Sequence, residues 1–327
     1  MKPFAHDRAE NLDDALIRIG ANGEALTMLA GGTDLLTLMK AEIASPTALI
    51  DIKRISELTG GIAFGEQETI IGALTTLAAI ERHQEIRERY QALSDAVGLA
   101  ASPQIRNRAT IGGNLLQRPR CWYYRSPHVQ CWLKGGDTCY AREGENALHA
   151  LFDVSPCVAV HPSDPAAALI ALGAEVTLRS STGERRMDVE QIFAPPDQVR
   201  RTEHLLARDE IIQAIHLPAI QMQSVYLKAM DRNVWAFALV GVAASLHMED
   251  GVINSARLVL SGVAPAPWRA RSAEALLNGQ PPGDQLFAAA AVEALSGAEP
   301  LAQNGYKVPL ATTQIRRALH ACAETTA

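Results

Sequence analysis

Four of the five cysteines, Cys121, Cys131, Cys139 and Cys157, share one stretch with the spacing C-x9-C-x7-C-x17-C. Four thiolates suit an iron–sulfur cluster or a structural zinc. The close C-x2-C pairs of zinc ribbons are missing, which counts against zinc, and plain reduced thiols in a loop are the ordinary alternative. Two glycine pairs precede them, in Ala30-Gly31-Gly32-Thr33-Asp34 and Thr110-Ile111-Gly112-Gly113-Asn114. Glycines between a strand and a helix let backbone N–H groups approach a phosphate, and the helix N-terminus favours its charge. Neither loop is a G-x-G-x-x-G fingerprint or a P-loop, and each is also what a tight turn looks like. Two such loops, each beside a hydroxyl residue, point to one extended ligand held by both. Asp164, in His161-Pro162-Ser163-Asp164, can bind a sugar hydroxyl or cap the helix that follows it. Lys228 is by default an exposed strand residue. Cys322 is a packing residue, and His149 and His161 read as hydrogen-bonded rather than metal-ligating. No hydrolytic triad or dyad is present.

The elements that must position these residues can be read from periodicity. Asn11 caps a helix with Leu12, Ala15, Leu16 and Ile19 on one face. Leu26–Ala30 reads as a strand, the glycines break it, and a helix follows through Ile43 until Pro46. Ala48–Ile52 is the next strand, so the first 55 or so residues form an α/β unit. Ile62–Phe64 and Thr69–Ala73 make a hairpin. Thr75 or Thr76 starts a helix, and Tyr90–Ala101 is another. After the cysteines come a helix over Ala166–Leu172, a hairpin turned at Thr182-Gly183, and a strand over Glu210–Leu217. From Ser224 the texture changes to two long strands, Phe237–Met248 and Ile253–Val263, then helices over Ser272–Leu277, Asp284–Leu295 and after Thr312.

With 327 residues the chain has room for two or three domains. Its net charge of −6 argues against a nucleic-acid partner. Residues 101–150 carry seven Lys/Arg against three Asp/Glu, a local excess suited to phosphates or an anionic cluster. The N-terminal stretch has charges where a signal peptide needs an apolar core, and no run is long enough for a membrane span. By its own sequence the chain reads as cytoplasmic, or periplasmic if a Tat-targeted partner carries it.

Taken in order, Ala30–Asp34, Ile71-Gly72-Ala73, Pro103–Asn107, Ala109–Asn114, Ser163-Asp164, Tyr226-Leu227-Lys228 and Ser261–Pro265 resemble the FAD-binding medium subunit of the xanthine dehydrogenase and carbon monoxide dehydrogenase family of molybdenum hydroxylases. The resemblance runs along almost the whole chain. It implies an α+β fold: a two-subdomain FAD domain of the PCMH type over residues 1–223 (about 1–56 and 57–223), then a C-terminal domain over 224–327 with a small antiparallel sheet and a helical bundle. It implies that Leu29, Ala30, Gly31, Gly32, Thr33, Asp34, Leu35 and Leu36 cradle the pyrophosphate. Thr110, Gly113 and Asn114 would hold the phosphate and ribitol side, and Asp164 the ribose or adenine end. Ile211 or Ile212 would lie near the adenine or the ring, and Lys228 near the isoalloxazine.

A departure from most of the family is the cysteine-rich insertion at about 118–160. It resembles the bacterial aldehyde oxidoreductase FAD subunit and, less closely, the 4-hydroxybenzoyl-CoA reductase type. That implies a [4Fe–4S] cluster on Cys121, Cys131, Cys139 and Cys157, with the local arginines balancing its charge. The implied partners are a large molybdenum-cofactor subunit, a small subunit with two [2Fe–2S] clusters, and an external electron acceptor. No residue of this chain is required as a catalytic acid or base. Other readings are a xanthine dehydrogenase-like complex, a cluster-bearing scaffold without flavin turnover, and a stand-alone flavin oxidase.

Overall fold

The structure, a computed structural model, describes residues 1–22, 25–219, 222–233 and 235–324. Strands β1 (Ala5–Arg8), β2 (Leu26–Leu29) and β3 (Ala48–Asp51) form a parallel sheet in the order β1-β3-β2. Helix Leu12–Asn22 joins β1 to β2 and buries Leu12, Ala15, Leu16 and Ile19, as its 3.6-residue periodicity demands. Asn11 Oδ1 caps it by accepting from Asp14 N at 2.9 Å. β1 was not read from the sequence, because its four residues are all exposed and carry no apolar alternation. Only backbone pairing to β3 makes it a strand.

The second unit is a five-stranded antiparallel sheet in the order β4-β5-β8-β6-β7: β4 (Ile62–Phe64), β5 (Glu68–Gly72), β6 (Glu175–Ser180), β7 (Gly183–Asp188) and β8 (Ile211–Pro218). Helices Leu77–Arg82, Gln91–Gly98 and Asp164–Ala171 share one apolar core with it. Thr76 caps the first of these.

The third sheet is antiparallel in the order β12-β11-β10-β9: β9 (Gln223–Ala229), β10 (Val240–Glu249), β11 (Val252–Ser261) and β12 (Trp268–Arg269). It is buried on both faces, which explains the mostly apolar run Val240–Leu246 of β10, where Ser245 meets its polar need by donating to Ala171 O at 2.6 Å. Val242, Ala244, Leu258 and Leu260 face a core shared with helices Arg271–Leu277, Asp284–Glu293 and Lys307–Glu324. Tyr226, Ala243 and Val259 face the core of the preceding unit instead. The last helix begins at Lys307, earlier than expected, because Pro309 falls in its first turn, where a missing N–H costs little.

The insertion has little regular structure beyond the short turns Trp122–Arg125 and Trp132–Lys134. It is nonetheless fastened to the C-terminal domain. Leu151 N donates to Val263 O and Glu299 N to Leu151 O, both at 2.7 Å. Asn146 and Gln303 exchange two bonds at 3.1 and 2.9 Å, and the Phe152 ring stacks on Trp268 at 3.9 Å.

Candidate functional site

A long groove runs between the parallel sheet, the five-stranded unit and the C-terminal sheet. It consists of two cavities of about 450 and 280 Å³ that share Thr33, Asp34, Gly113 and Gln117. Both glycine loops therefore sit at its middle. Ala30, Gly31, Gly32, Thr33, Asp34 and Leu35 line it, whereas Leu29 and Leu36 turn into a small core with Met39 and Leu49. Thr110, Gly113, Ile211 and Ile212 line the larger cavity, and Gly113, Asn114, Asp164 and Lys228 the smaller one.

The glycines have reasons of their own. A Cβ on Gly31 would stand 2.1 Å from the Arg108 carbonyl oxygen, so the first loop can lie against the chain leading to the second only without a side chain. Gly32 has φ +74°, the left-handed region. Thr110 caps the turn Ile111–Leu115 by accepting from Gly113 N at 3.3 Å, which leaves its hydroxyl hydrogen to donate. Asn114 Oδ1 accepts from the Ser163 hydroxyl at 2.6 Å. Gly31→Ala is expected to lower stability by about 1–3 kcal/mol through overpacking. Thermal unfolding checks this, and loss of ligand with unchanged stability would instead make Gly31 a clearance for the ligand alone.

Asp164 is the first residue of its helix, and Ser163 is the cap. Asp164 was expected at the ribose or adenine end and Lys228 by the isoalloxazine, but the structure puts them on one wall of the smaller cavity. Lys228 Nζ donates to Asp164 Oδ2 at 2.7 Å and to Leu99 O at 3.0 Å, with side chains 1% and 4% exposed for Lys228 and Asp164. The Tyr226 hydroxyl donates to Asp164 Oδ1 at 2.6 Å. Burial and that carboxylate hold the Tyr226 phenol well above its ordinary pKa. Lys228 is thus not an exposed strand residue. Beside this wall Ala101 holds φ +51°, a strained position no sequence pattern marks.

The arginines of the insertion have carboxylate partners. Asp34 accepts from Arg120 at 2.9 Å, Arg125 Nη2 at 2.8 Å and the Arg118 backbone N at 2.9 Å. Arg118 faces the buried Glu203 at 3.4 Å, and Arg142 pairs with Asp153. The local positive excess is therefore largely met inside the fold rather than reserved for a cluster.

The cysteines come together only loosely. All four border one apolar patch with Leu38, Tyr124, Trp132, Leu133 and Ala159. Among the described residues, however, no three His, Cys, Asp or Glu side chains converge tightly enough to hold a metal ion. The expected four-thiolate ligand set is not formed in the structure. The neighbouring Cys157 pulls the Cys139 thiol down to about 6, and Cys139 together with burial pushes Cys157 up. Burial pushes Cys121 up to about 11, and its Sγ lies 3.2 Å from His149 Nε2. The composition of the four cysteines still fits an iron–sulfur group: soft sulfur donors, one patch and no carboxylate among them. Cys322 is buried in the C-terminal core, as expected.

Comparison with known proteins follows the same division. Residues 2–220 match the family described as the FAD binding domain in molybdopterin dehydrogenase, and residues 225–322 match the CO dehydrogenase flavoprotein C-terminal domain. The chain is 38% identical over 323 residues to the aldehyde oxidoreductase FAD-binding subunit PaoB of Escherichia coli K12, covering 95% of each. It is 26% identical to the carbon monoxide dehydrogenase medium chain of Hydrogenophaga pseudoflava, covering 97% of this chain and 96% of that one. A solved carbon monoxide dehydrogenase structure from the same organism superposes with a TM-score of 0.78 at 27% identity, over 98% of this chain and 97% of that one.

Proposed function

This chain belongs to the FAD-binding flavoprotein subunits of the molybdopterin dehydrogenases, and we propose that it is the electron-transferring subunit of an aldehyde oxidoreductase. The observation that carries this reading is the groove whose two cavities meet at both glycine loops, in a chain 38% identical to an aldehyde oxidoreductase FAD-binding subunit. FAD, when bound, supplies the two-electron chemistry. This chain's residues bind and orient it: Gly31–Asp34 and Thr110–Asn114 at the diphosphate, and Ile211 and Ile212 in the more apolar arm. The buried Asp164–Lys228 pair forms a fixed polar wall in the other arm. The partners in this reading are a large molybdenum subunit, a small subunit with [2Fe–2S] clusters and an external acceptor.

The cysteines extend the proposal. Cys121, Cys131, Cys139 and Cys157 would hold a [4Fe–4S] cluster, which supplies one-electron transfer beside the groove. Their shared patch and the all-sulfur donor set support this.

The purified chain should be yellow and carry stoichiometric FAD, and anaerobic preparations should contain about four iron and four sulfide per chain. Zinc in place of iron would defeat the cluster. Aldehyde turnover by the chain alone, without partners, would defeat the subunit reading.

A further inference from the structure

We infer that Arg120, supplied by the cysteine insertion, is a binding residue for the diphosphate of FAD, and that through it flavin occupancy and order of the insertion are linked. The argument starts at the junction of the two cavities, where the middle of a dinucleotide must lie. Four residues are common to both cavities: Thr33, Asp34, Gly113 and Gln117. Arg120 is bonded to two of them. Its Nη1 is 2.9 Å from Asp34 Oδ1 and its Nη2 donates to Gln117 Oε1 at 2.8 Å. Its guanidinium lies over the Phe237 ring, 4.9 Å from the centroid, so the fork is held from the C-terminal domain too. The side chain itself lines the smaller cavity.

The charges leave room for an anion. Arg120 and Arg125 share the single carboxylate of Asp34, while Arg118 has Glu203. The Arg120–Arg125–Asp34 group is therefore net positive by one, at the place where the two glycine loops meet. An arginine held as a fixed fork suits phosphate oxygens better than a mobile lysine would.

The same residue begins the insertion's path to the cysteines. It precedes Cys121 and lines, with Cys121 and His149, a further cavity of about 290 Å³. A diphosphate bound by Arg120 adds a further tie to the root of the insertion. By linkage, whatever orders the insertion must strengthen flavin binding equally.

The test uses the full chain with its flavin removed. FAD affinity is titrated by flavin fluorescence, and thiol labelling rates are measured with and without FAD. In the wild-type chain FAD should slow labelling of the insertion cysteines several-fold. Arg120→Gln should weaken FAD about tenfold or more, abolish that slowing and leave thermal unfolding of the flavin-free chain nearly unchanged. Arg120→Lys, which keeps the charge, should recover part of the affinity, and it serves as the second variant if the glutamine form folds poorly. FAD affinity within twofold of wild type in both variants, or equal slowing of labelling in all three proteins, would overturn the inference. The inference rests on the flavin reading, and the two fail differently: a wild-type chain that does not bind FAD at all removes that reading first.

Discussion

Lys228→Met is expected to cost about 3–5 kcal/mol of stability, because it leaves the Asp164 carboxylate charged, buried and without its ammonium partner. The Leu99 carbonyl loses its donor in the same step. Lys228 and Tyr226 are two residues apart on β9 and so share a face, the one turned towards the preceding unit. Asp164 lies at the start of a helix of that unit. The three side chains therefore join the two domains along the groove wall. Urea unfolding measures the loss, and FAD titration should show weaker binding at native conditions because the wall relaxes. The double variant Asp164→Asn with Lys228→Met should be more stable than Lys228→Met alone, since no charge is left buried. A single-variant loss below about 1 kcal/mol would place the pair among solvated ion pairs and sink the account.

The parts of this site that were legible in the sequence are those with local signatures. A strand, two glycines and a helix leave a pattern within ten residues, and so do Asn11, Thr76 and the hairpin turns. The family resemblance extended this to residues far apart, and two residues named from it, Ile211 and Lys228, line different cavities of the groove. What was not legible depends on partners remote in the chain. Asp34 looks like part of a phosphate loop, yet its carboxylate holds Arg120 and Arg125, and nothing local in either segment announces the pairing. Asp164 and Lys228 were placed at different ends of the ligand for the same reason. The basic excess at residues 101–150 was visible, but its buried acids, Asp34 and Glu203, lie outside that window. β1 escaped because solvent covers all its side chains, and the Ala101 strain because alanine carries no mark of positive φ.

Lys307→Met should show how the insertion is held in place. Lys307 is fully buried, and its Nζ donates to Leu148 O and His149 O at 3.0 Å and to Gly262 O at 2.8 Å. Burial draws its pKa down to about 7, yet three carbonyls match the three N–H groups of an ammonium and favour keeping the proton. Asn304 adds bonds from Nδ2 to His149 O at 3.1 Å and Ala150 O at 2.8 Å. The C-terminal helix thus grips the segment that carries His149, whose ring contacts Cys121. Methionine fills the volume but takes the Lys307 donor from Leu148 O and Gly262 O, at about 1–3 kcal/mol each if neither is rescued by water, while His149 O keeps Asn304 Nδ2. A loss of about 3 kcal/mol or more is expected, and Asn304→Ala should cost less. Hydrogen exchange should rise first at residues 146–151, ahead of global unfolding, because the rest of the C-terminal core keeps its packing. If the cysteines hold a cluster, iron content should fall in this variant while FAD content falls less. Uniform exchange across the chain, with iron and flavin lost in step, would mean that Lys307 supports the whole fold and not the insertion in particular.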